Sequence, residues 1–307
     1  MGAEQSVSSN STEPEPPPPS PSPPTPVFGP FGGPGTVVAT LAGNTNINRI
    51  SSDGIGTSAL FTTPRHMALS SDGLMMYIAE SGSDTSVAFH REVNATNHHV
   101  RVLNVATGAV TTLAGSGALA SSTDAQDGTG TSAMMGKPVG IAITSDDSTL
   151  YVSEHHTHRI RQIDISTAKV TTLAGRQVGS ADGVGTNALF NEPSQIAITG
   201  DGTTLYVADT GNHQIRALDI STRMVTTLVG SSMPGHADGT GTNAMLYDPR
   251  GIAITSGMLI LLVTPSACAI QLACSKSCSQ ACLILVMSTF SQMAQASTYV
   301  KDIDSAS

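Results

Sequence analysis

Three histidines stand at one spacing from three arginines: His98 precedes Arg101, His158 precedes Arg161 and His213 precedes Arg216, each by three residues. Imidazoles repeated at one position could make a ring of metal ligands. The plainer reading gives each histidine a packing and hydrogen-bonding role in a turn at the start of a strand, with the arginine paired to an acid such as Glu154 or Asp209. Recurrence in every repeat favours that reading, because a metal needs converging ligands rather than one per repeat. His155 and His156 fall outside the pattern and could hold a soft cation weakly. Asp53, Asp127, Asp182 and Asp238 each open a D-G-x-G-T loop. A carboxylate ring for calcium is conceivable, but single aspartates before glycine are ordinary turn formers, and no loop carries the several oxygens that calcium takes. No G-x-S-x-G or H-E-x-x-H occurs, so the sequence assigns no catalytic residue, no metal ligand and no cofactor.

These residues recur because the text around them recurs. The segment from Phe190 to Gly230 holds four short runs rich in Val, Ile, Leu and Thr, separated by Gly, Asp, Asn and Ser. That pattern predicts four strands joined by tight turns, hence one antiparallel sheet. A loop proline recurs at Pro64, Pro138, Pro193 and Pro249, and a T-L-A-G or T-L-V-G ending recurs at Gly43, Gly115, Gly175 and Gly230. The text recurs at a period near 55 residues, as from Pro138 to Pro193, and a four-stranded unit repeated at roughly this length marks a β-propeller. The expected fold is all-β: three full blades, an orphan last strand over Val37–Gly43, and a fourth blade that begins at Pro249. Between the second and third strands of the first blade, Ser81 to Asn97 forms an insertion, and such loops carry recognition on repeat scaffolds.

The segments YVADTGNHQIRALD (Tyr206 to Asp219) and YVSEHHTHRIRQID (Tyr151 to Asp164) resemble NHL repeats, with Asn212-His213 followed by Ile215 in place of the family's leucine. The resemblance runs from about Val37 to Thr255. It implies a propeller, typically of six blades, that serves mostly as a binding platform for proteins or RNA. The function expected is therefore a non-enzymatic binding or scaffold module. The alternative is a metal-dependent lyase like the peptidylglycine-amidating members, whose metal is held by histidines with a nearby Tyr and Arg. That site does not map onto this chain, since the histidines at equivalent repeat positions are the repeat signature itself.

The 307 residues divide into a Pro/Ser-rich arm over 1–35, repeats over 36–256 and a non-repeat tail over 257–307. The arm cannot bury apolar surface, reads as disordered, and has no apolar stretch of a secretory signal. It opens MGAEQS, which matches the myristoylation pattern with Gly2 as the acylated residue. A cytoplasmic protein, held at the cytoplasmic face of a membrane through that lipid, is the corresponding expectation. The tail has two apolar runs, broken at Thr264-Pro265-Ser266 and over Ser275 to Gln280, and neither is long enough to span a bilayer. Its cysteines, Cys268, Cys274, Cys278 and Cys282, lack the paired spacing of a zinc site. Read two nucleotides on, the codons of Gln292-Met293-Ala294 spell Asn or Asp followed by Gly, 55 residues after Asp238. The tail from about Ser256 thus reads as an out-of-frame fifth repeat.

A net charge of −9 with only 14 Lys and Arg supplies no basic stripe, which argues against nucleic acid and leaves an unidentified protein as partner. An unclosed propeller also predicts self-association, with Ile141, Ile143, Ile196 and Ile198 expected on its open faces.

Overall fold

The computed structural model describes residues 39–44, 51–82, 96–121, 124–254 and 260–263. The arm with Gly2, the interior of the insertion and the tail cysteines lie outside the described residues.

The first blade comprises β1 (Gly54–Ile55), β2 (Pro64–Leu69), β3 (Met75–Ser81), β4 (Thr96–Asn104) and β5 (Ala109–Ala118). The second comprises β6 (Gly128–Thr129), β7 (Pro138–Ile143), β8 (Thr149–Glu154), β9 (Arg159–Asp164) and β10 (Lys169–Gly175). The third comprises β11 (Gly183–Val184), β12 (Pro193–Ile198), β13 (Thr204–Asp209), β14 (Gln214–Asp219) and β15 (Met224–Val229). A fourth sheet begins with β16 (Gly251–Ile254) paired to β17 (Ile260–Val263), so strand pairing continues past Ser256.

Each of the first three blades is an antiparallel sheet of five strands rather than the expected four, in the order β1-β5-β4-β3-β2 and its equivalents. The extra strand is the D-G-x-G loop itself, whose two residues pair with the outermost long strand, Gly183 with Val225 and Val184 with Met224. A short 3₁₀ turn follows each, as at Gly185–Asn187. The outermost long strand also bulges beside the arginine of its neighbour: Ile215 pairs with Val229 and Arg216 with Thr227, leaving Leu228 over. Such a bulge needs a closing residue at positive φ. Gly230 has φ 104°, and a Cβ there would meet the His213 carbonyl oxygen at 2.3 Å, which explains the glycine that ends each repeat.

Alternation along the strands buries both sides of each inner sheet, one against each neighbouring blade. Ile141, Leu150, Val152 and Met135 pack on Tyr77, Ala79, Val100 and Val102 between the first and second blades. Phe190, Ile196, Leu205 and Val207 pack on Tyr151, Ile160 and Leu173 between the second and third. Ile141 and Ile196 are therefore buried, at 1% and 2% exposure, and Ile143 and Ile198 are partly buried, contrary to the expectation that all four line an open face. They lie inside blade junctions that are both present. The open face belongs to the first blade, where Met67 and Leu69 are 57% and 49% exposed.

The orphan strand is also corrected in its described part: residues 39–44 form no strand. Leu41 nevertheless takes the place of a last strand, with its carbonyl oxygen against Gly56 as Leu113, Leu173 and Leu228 place theirs against Gly130, Gly185 and Gly241. It packs with Phe61 on Ile78, Leu103 and Val110.

Candidate functional site

The arginine of each repeat is its most buried cation. Arg101, Arg161 and Arg216 have no measurable exposure. Arg216 Nη1 lies 2.8 Å from Asp209 Oδ2 and donates to the Leu189 carbonyl at 3.0 Å. Its Nη2 donates to Asp182 Oδ1 at 2.6 Å and to the Ala181 carbonyl at 3.0 Å, while the guanidinium covers the Phe190 ring. Arg161 repeats the arrangement with Glu154 at 2.8 Å and Asp127 at 3.0 Å. Arg101 repeats it with Glu80 and Asp53, both at 2.9 Å, over Phe61. The aspartates of the D-G-x-G loops thus tie the outer edge of each blade to its centre through one arginine. A threonine hydroxyl completes each, as Thr227 does for Asp182 at 2.9 Å. Asp238 is exposed, and among the described residues no arginine reaches it.

Asn212 holds the inner acid from a third side, donating to Asp209 Oδ2 at 2.8 Å, and the Asn191 amide donates to Oδ1 at 2.7 Å. Thr157 serves Glu154 in the second blade, and the Thr62 amide and Ser51 hydroxyl serve Glu80 in the first. Burial still pushes Asp209 up to about 6 against the pull of these donors. Every oxygen is engaged by a fixed donor, so the arrangement holds a blade together and offers no free acid or base.

The signature histidines divide. His158 and His213 sit in the left-handed turn before the third strand, with φ 56° and 55°. His158 Nδ1 accepts the Glu192 amide at 3.0 Å, and His213 Nδ1 accepts the Asp248 amide at 3.2 Å. Each bond crosses from one blade to the start of the next, so the histidine is a clasp between blades and not only a turn residue. His98 does not follow. The insertion extends β4 back to Thr96, His98 pairs within the strand opposite Ser81, and its ring lies on Gly82. Burial, with His99, His156 and Lys137 nearby, lowers it to about 4.

Antiparallel order puts the starts of β2, β7, β12 and β16 and the turns between second and third strands at one end of the blades. Arg65, Lys137, Arg159 and Arg250 all belong to that end, with His155 and His156 among them. The His155 amide donates to the Lys137 carbonyl at 3.0 Å, and the His156 amide to that of Gly136 at 3.2 Å. His155 is lowered to about 4, first by burial, then by Lys137, Arg250 and His158 against the pull of Glu192, whose carboxylate lies 3.8 Å away. The described anchors of the insertion, Ser81 and Asn97, emerge at this same end. Asp72, Asp146, Asp147, Asp164, Asp201 and Asp219 all occupy turns at the opposite end, accompanied by Lys169 and Arg223. Hydrogen bonds from Ser and Thr neighbours hold Asp72, Asp146, Asp164, Asp201 and Asp219 below the usual carboxylate range. An overall acidic chain therefore presents one cation- and imidazole-rich end. Among the described residues no three His, Cys, Asp or Glu side chains are placed to hold a metal ion.

Sequence reasoning missed the link from arginine to the D-G-x-G aspartate, though a signal existed. Asp127 to Arg161 and Asp182 to Arg216 are both 34 residues apart, and Asp53 to Arg101 is 48 because the insertion intervenes.

The NHL-repeat family model matches residues 190–218, the stretch that contains Phe190, Asp209, Asn212, His213 and Arg216. Residues 190–218 are an NHL repeat. The chain is 33% identical over 175 residues to NHL repeat-containing protein 2 of Bos taurus, covering 54% of this chain and 22% of the relative. It is 40% identical over 106 residues to the Homo sapiens protein of the same name, covering 33% and 14%. The chain thus spans about a fifth or less of the length of these relatives. A Bacteroides thetaiotaomicron structural genomics protein of unknown function superposes with TM-score 0.44 at 21% identity, covering 61% of this chain and 40% of that structure.

Proposed function

We propose that this chain is a non-enzymatic binding module whose contact surface is the end of the blades carrying Lys137, His155, His156 and Arg250, and whose partner is an acidic segment of another protein. The observation that carries this reading is the segregation of charge: Arg65, Lys137, Arg159 and Arg250 with His155 and His156 outnumber Glu192 and Asp248 at the end where the insertion is anchored, and turn aspartates dominate the other. Such polarity steers an acidic partner to one face and repels it from the other. Binding is favoured over catalysis because the buried acids are committed to arginines, and His158 and His213 to backbone amides.

Capture from a cell lysate tests it. Lys137→Glu with Arg250→Glu should lose the proteins retained by wild type, and raising salt from 0.05 to about 0.5 M should weaken retention by shortening the screening length. Asp164→Lys with Asp219→Lys, at the opposite end, should retain them. Equal retention by the first pair would refute the proposal.

The amino-terminal arm adds a second part to the reading, a tether in which an acyl group on Gly2 holds the module at the cytoplasmic face of a membrane. The M-G-x-x-x-S pattern supports it. One such chain gives reversible attachment, since a single myristoyl group binds weakly.

A further inference from the structure

His66, Gly140, Gln195 and Gly251 stand two places after the four loop prolines, at one position of the inner strands β2, β7, β12 and β16. Two long polar side chains there alternate with two glycines, and each long one reaches over the glycine that follows. His66 Nδ1 lies 3.2 Å from the Ile141 carbonyl oxygen and 3.4 Å from the Ile141 amide nitrogen, and its Nε2 lies 2.8 Å from Gln195 Nε2. Gln195 Oε1 accepts the Ile252 amide at 3.1 Å, while the Gln195 backbone amide donates to the Arg250 carbonyl at 3.1 Å. Gly140 permits the close approach, since a Cβ there would meet Gln195 Cα at 2.9 Å. One run of side-chain bonds therefore joins four successive inner strands.

The direction of these bonds is fixed from one end. The Ile252 amide can only donate, so Gln195 turns its oxygen to Ile252 and its NH2 group to His66. His66 Nε2 must then accept, which leaves the imidazole proton on Nδ1, where it donates to the Ile141 carbonyl. We infer that this bridge is a proton-sensitive latch between the first and third blades, closed while His66 is neutral and opened when Nε2 takes a proton. The imidazolium would present a donor to a donor, and Gln195 cannot turn round without aiming its NH2 group at the Ile252 amide. The half-buried ring turns to water instead, and β2 loses its hold on β12. Burial lowers His66 below the ordinary imidazole value, against the pull of its bond to the Ile141 carbonyl. The titratable groups on or beside the strands packed against it are Arg65, Tyr77, Glu80, Lys137, Glu192 and Arg250. Arg65 bonds Ser81 and Glu80 bonds Arg101, and among the described residues no charge contributes to the shift of His66. The latch is therefore shut above pH 6.5 and opens as pH falls below that value through the lowered one. It does not require the partner-binding role of the cationic end.

Ring-nitrogen NMR of the full chain, labelled at histidine, tests the latch. Wild type near neutral pH should show His66 protonated on Nδ1, with a titration midpoint below 6.5. Protection of the Ile252 amide from hydrogen exchange, corrected for the intrinsic effect of pH, should fall by about fivefold as His66 titrates, the factor that one lost hydrogen bond is worth. His66→Gln cannot titrate and should show no such step, which separates the latch from acid effects at His98, His99 and His155. Gln195→Glu should reverse the sign, because its carboxylate accepts from the imidazolium: the His66 midpoint should rise above 6.5, and the Ile252 amide should stay protected in acid. A proton on Nε2 in neutral wild type, the same exchange step in His66→Gln, or a His66 midpoint unmoved by Gln195→Glu would each overturn the inference.

Discussion

Replacing Arg216 with methionine keeps most of the apolar stem and removes the guanidinium. Asp209 then keeps only the Asn191 amide at 2.7 Å and Asn212 at 2.8 Å, and the Leu189 and Ala181 carbonyls lose their donors. Breaking one partner out of a fully buried pair costs about 3–5 kcal/mol. For a domain of this size 1 kcal/mol moves Tm by about 2–4 °C, so the midpoint should fall by about 6–20 °C. Asp182 is 49% exposed in its side chain, and Asp182→Asn should cost under about 1 kcal/mol, as partly solvated pairs do. Asp209→Asn combined with Arg216→Met should recover part of the loss, because no uncompensated charge remains. Because Asp209 already lies near 6, protonation relieves the single variant at low pH, so its deficit should be smaller at pH 5 than at pH 8. The assay is thermal unfolding at one fixed protein concentration. An Arg216→Met midpoint within about 2 °C of wild type, or a loss from Asp182→Asn as large, would refute the account of the arginine as the centre of each blade.

Acid should destabilise the protein between pH 6.5 and 4. His98, His99 and His155 titrate near 4 in the fold against 6.5 when free, so their contribution is complete above 6.5 and disappears as pH falls through that window. For His98, 1% exposed, this is about 3 kcal/mol. Asp209, raised from 3.8 to about 6, acts in the opposite sense: its contribution is complete below 3.8 and is lost as pH rises through 6. Three groups outweigh one, and a Tm that rises on acidification from pH 7 to 4.5 would contradict the burial of these histidines. Gly230→Ala should cost more than about 2 kcal/mol in denaturant unfolding, since a Cβ would meet backbone at 2.3 Å where φ is 104°; a shift below about 0.5 kcal/mol would remove the reason for the recurring glycine. Gly2→Ala should shift the protein from the membrane to the soluble fraction and remove the acyl mass increment; unchanged fractionation and mass would end the tether reading.

The repeat was legible because turn chemistry and strand alternation are local: D-G-x-G, the loop proline and T-L-A-G each report a backbone conformation within a few residues. The fifth strand was not, since two residues such as Gly183-Val184 become a strand only when Val225 and Met224 are brought alongside. The exposure of Met67 was hidden for a related reason. Its text matches that of Ile141, and only the blade on its other side distinguishes a core position from a surface one. His98 carries the signature spacing yet loses the clasp, because the insertion before it lengthens β4 and removes the turn that points His158 and His213 at the next blade. Charge segregation was unreadable for the same geometric cause, as Lys137 and Arg250 are far apart in sequence and meet only when strand starts align around the blades.

Site-specific photo-crosslinking tests the central claim most directly. A benzophenone side chain placed at position 156, on the cationic end, should form adducts with a partner protein in cells, and these should diminish with Lys137→Glu and Arg250→Glu. The same probe at position 221, among the turn aspartates, should form none with that partner. Adducts from position 221 with position 156 silent would contradict the assignment of the binding face.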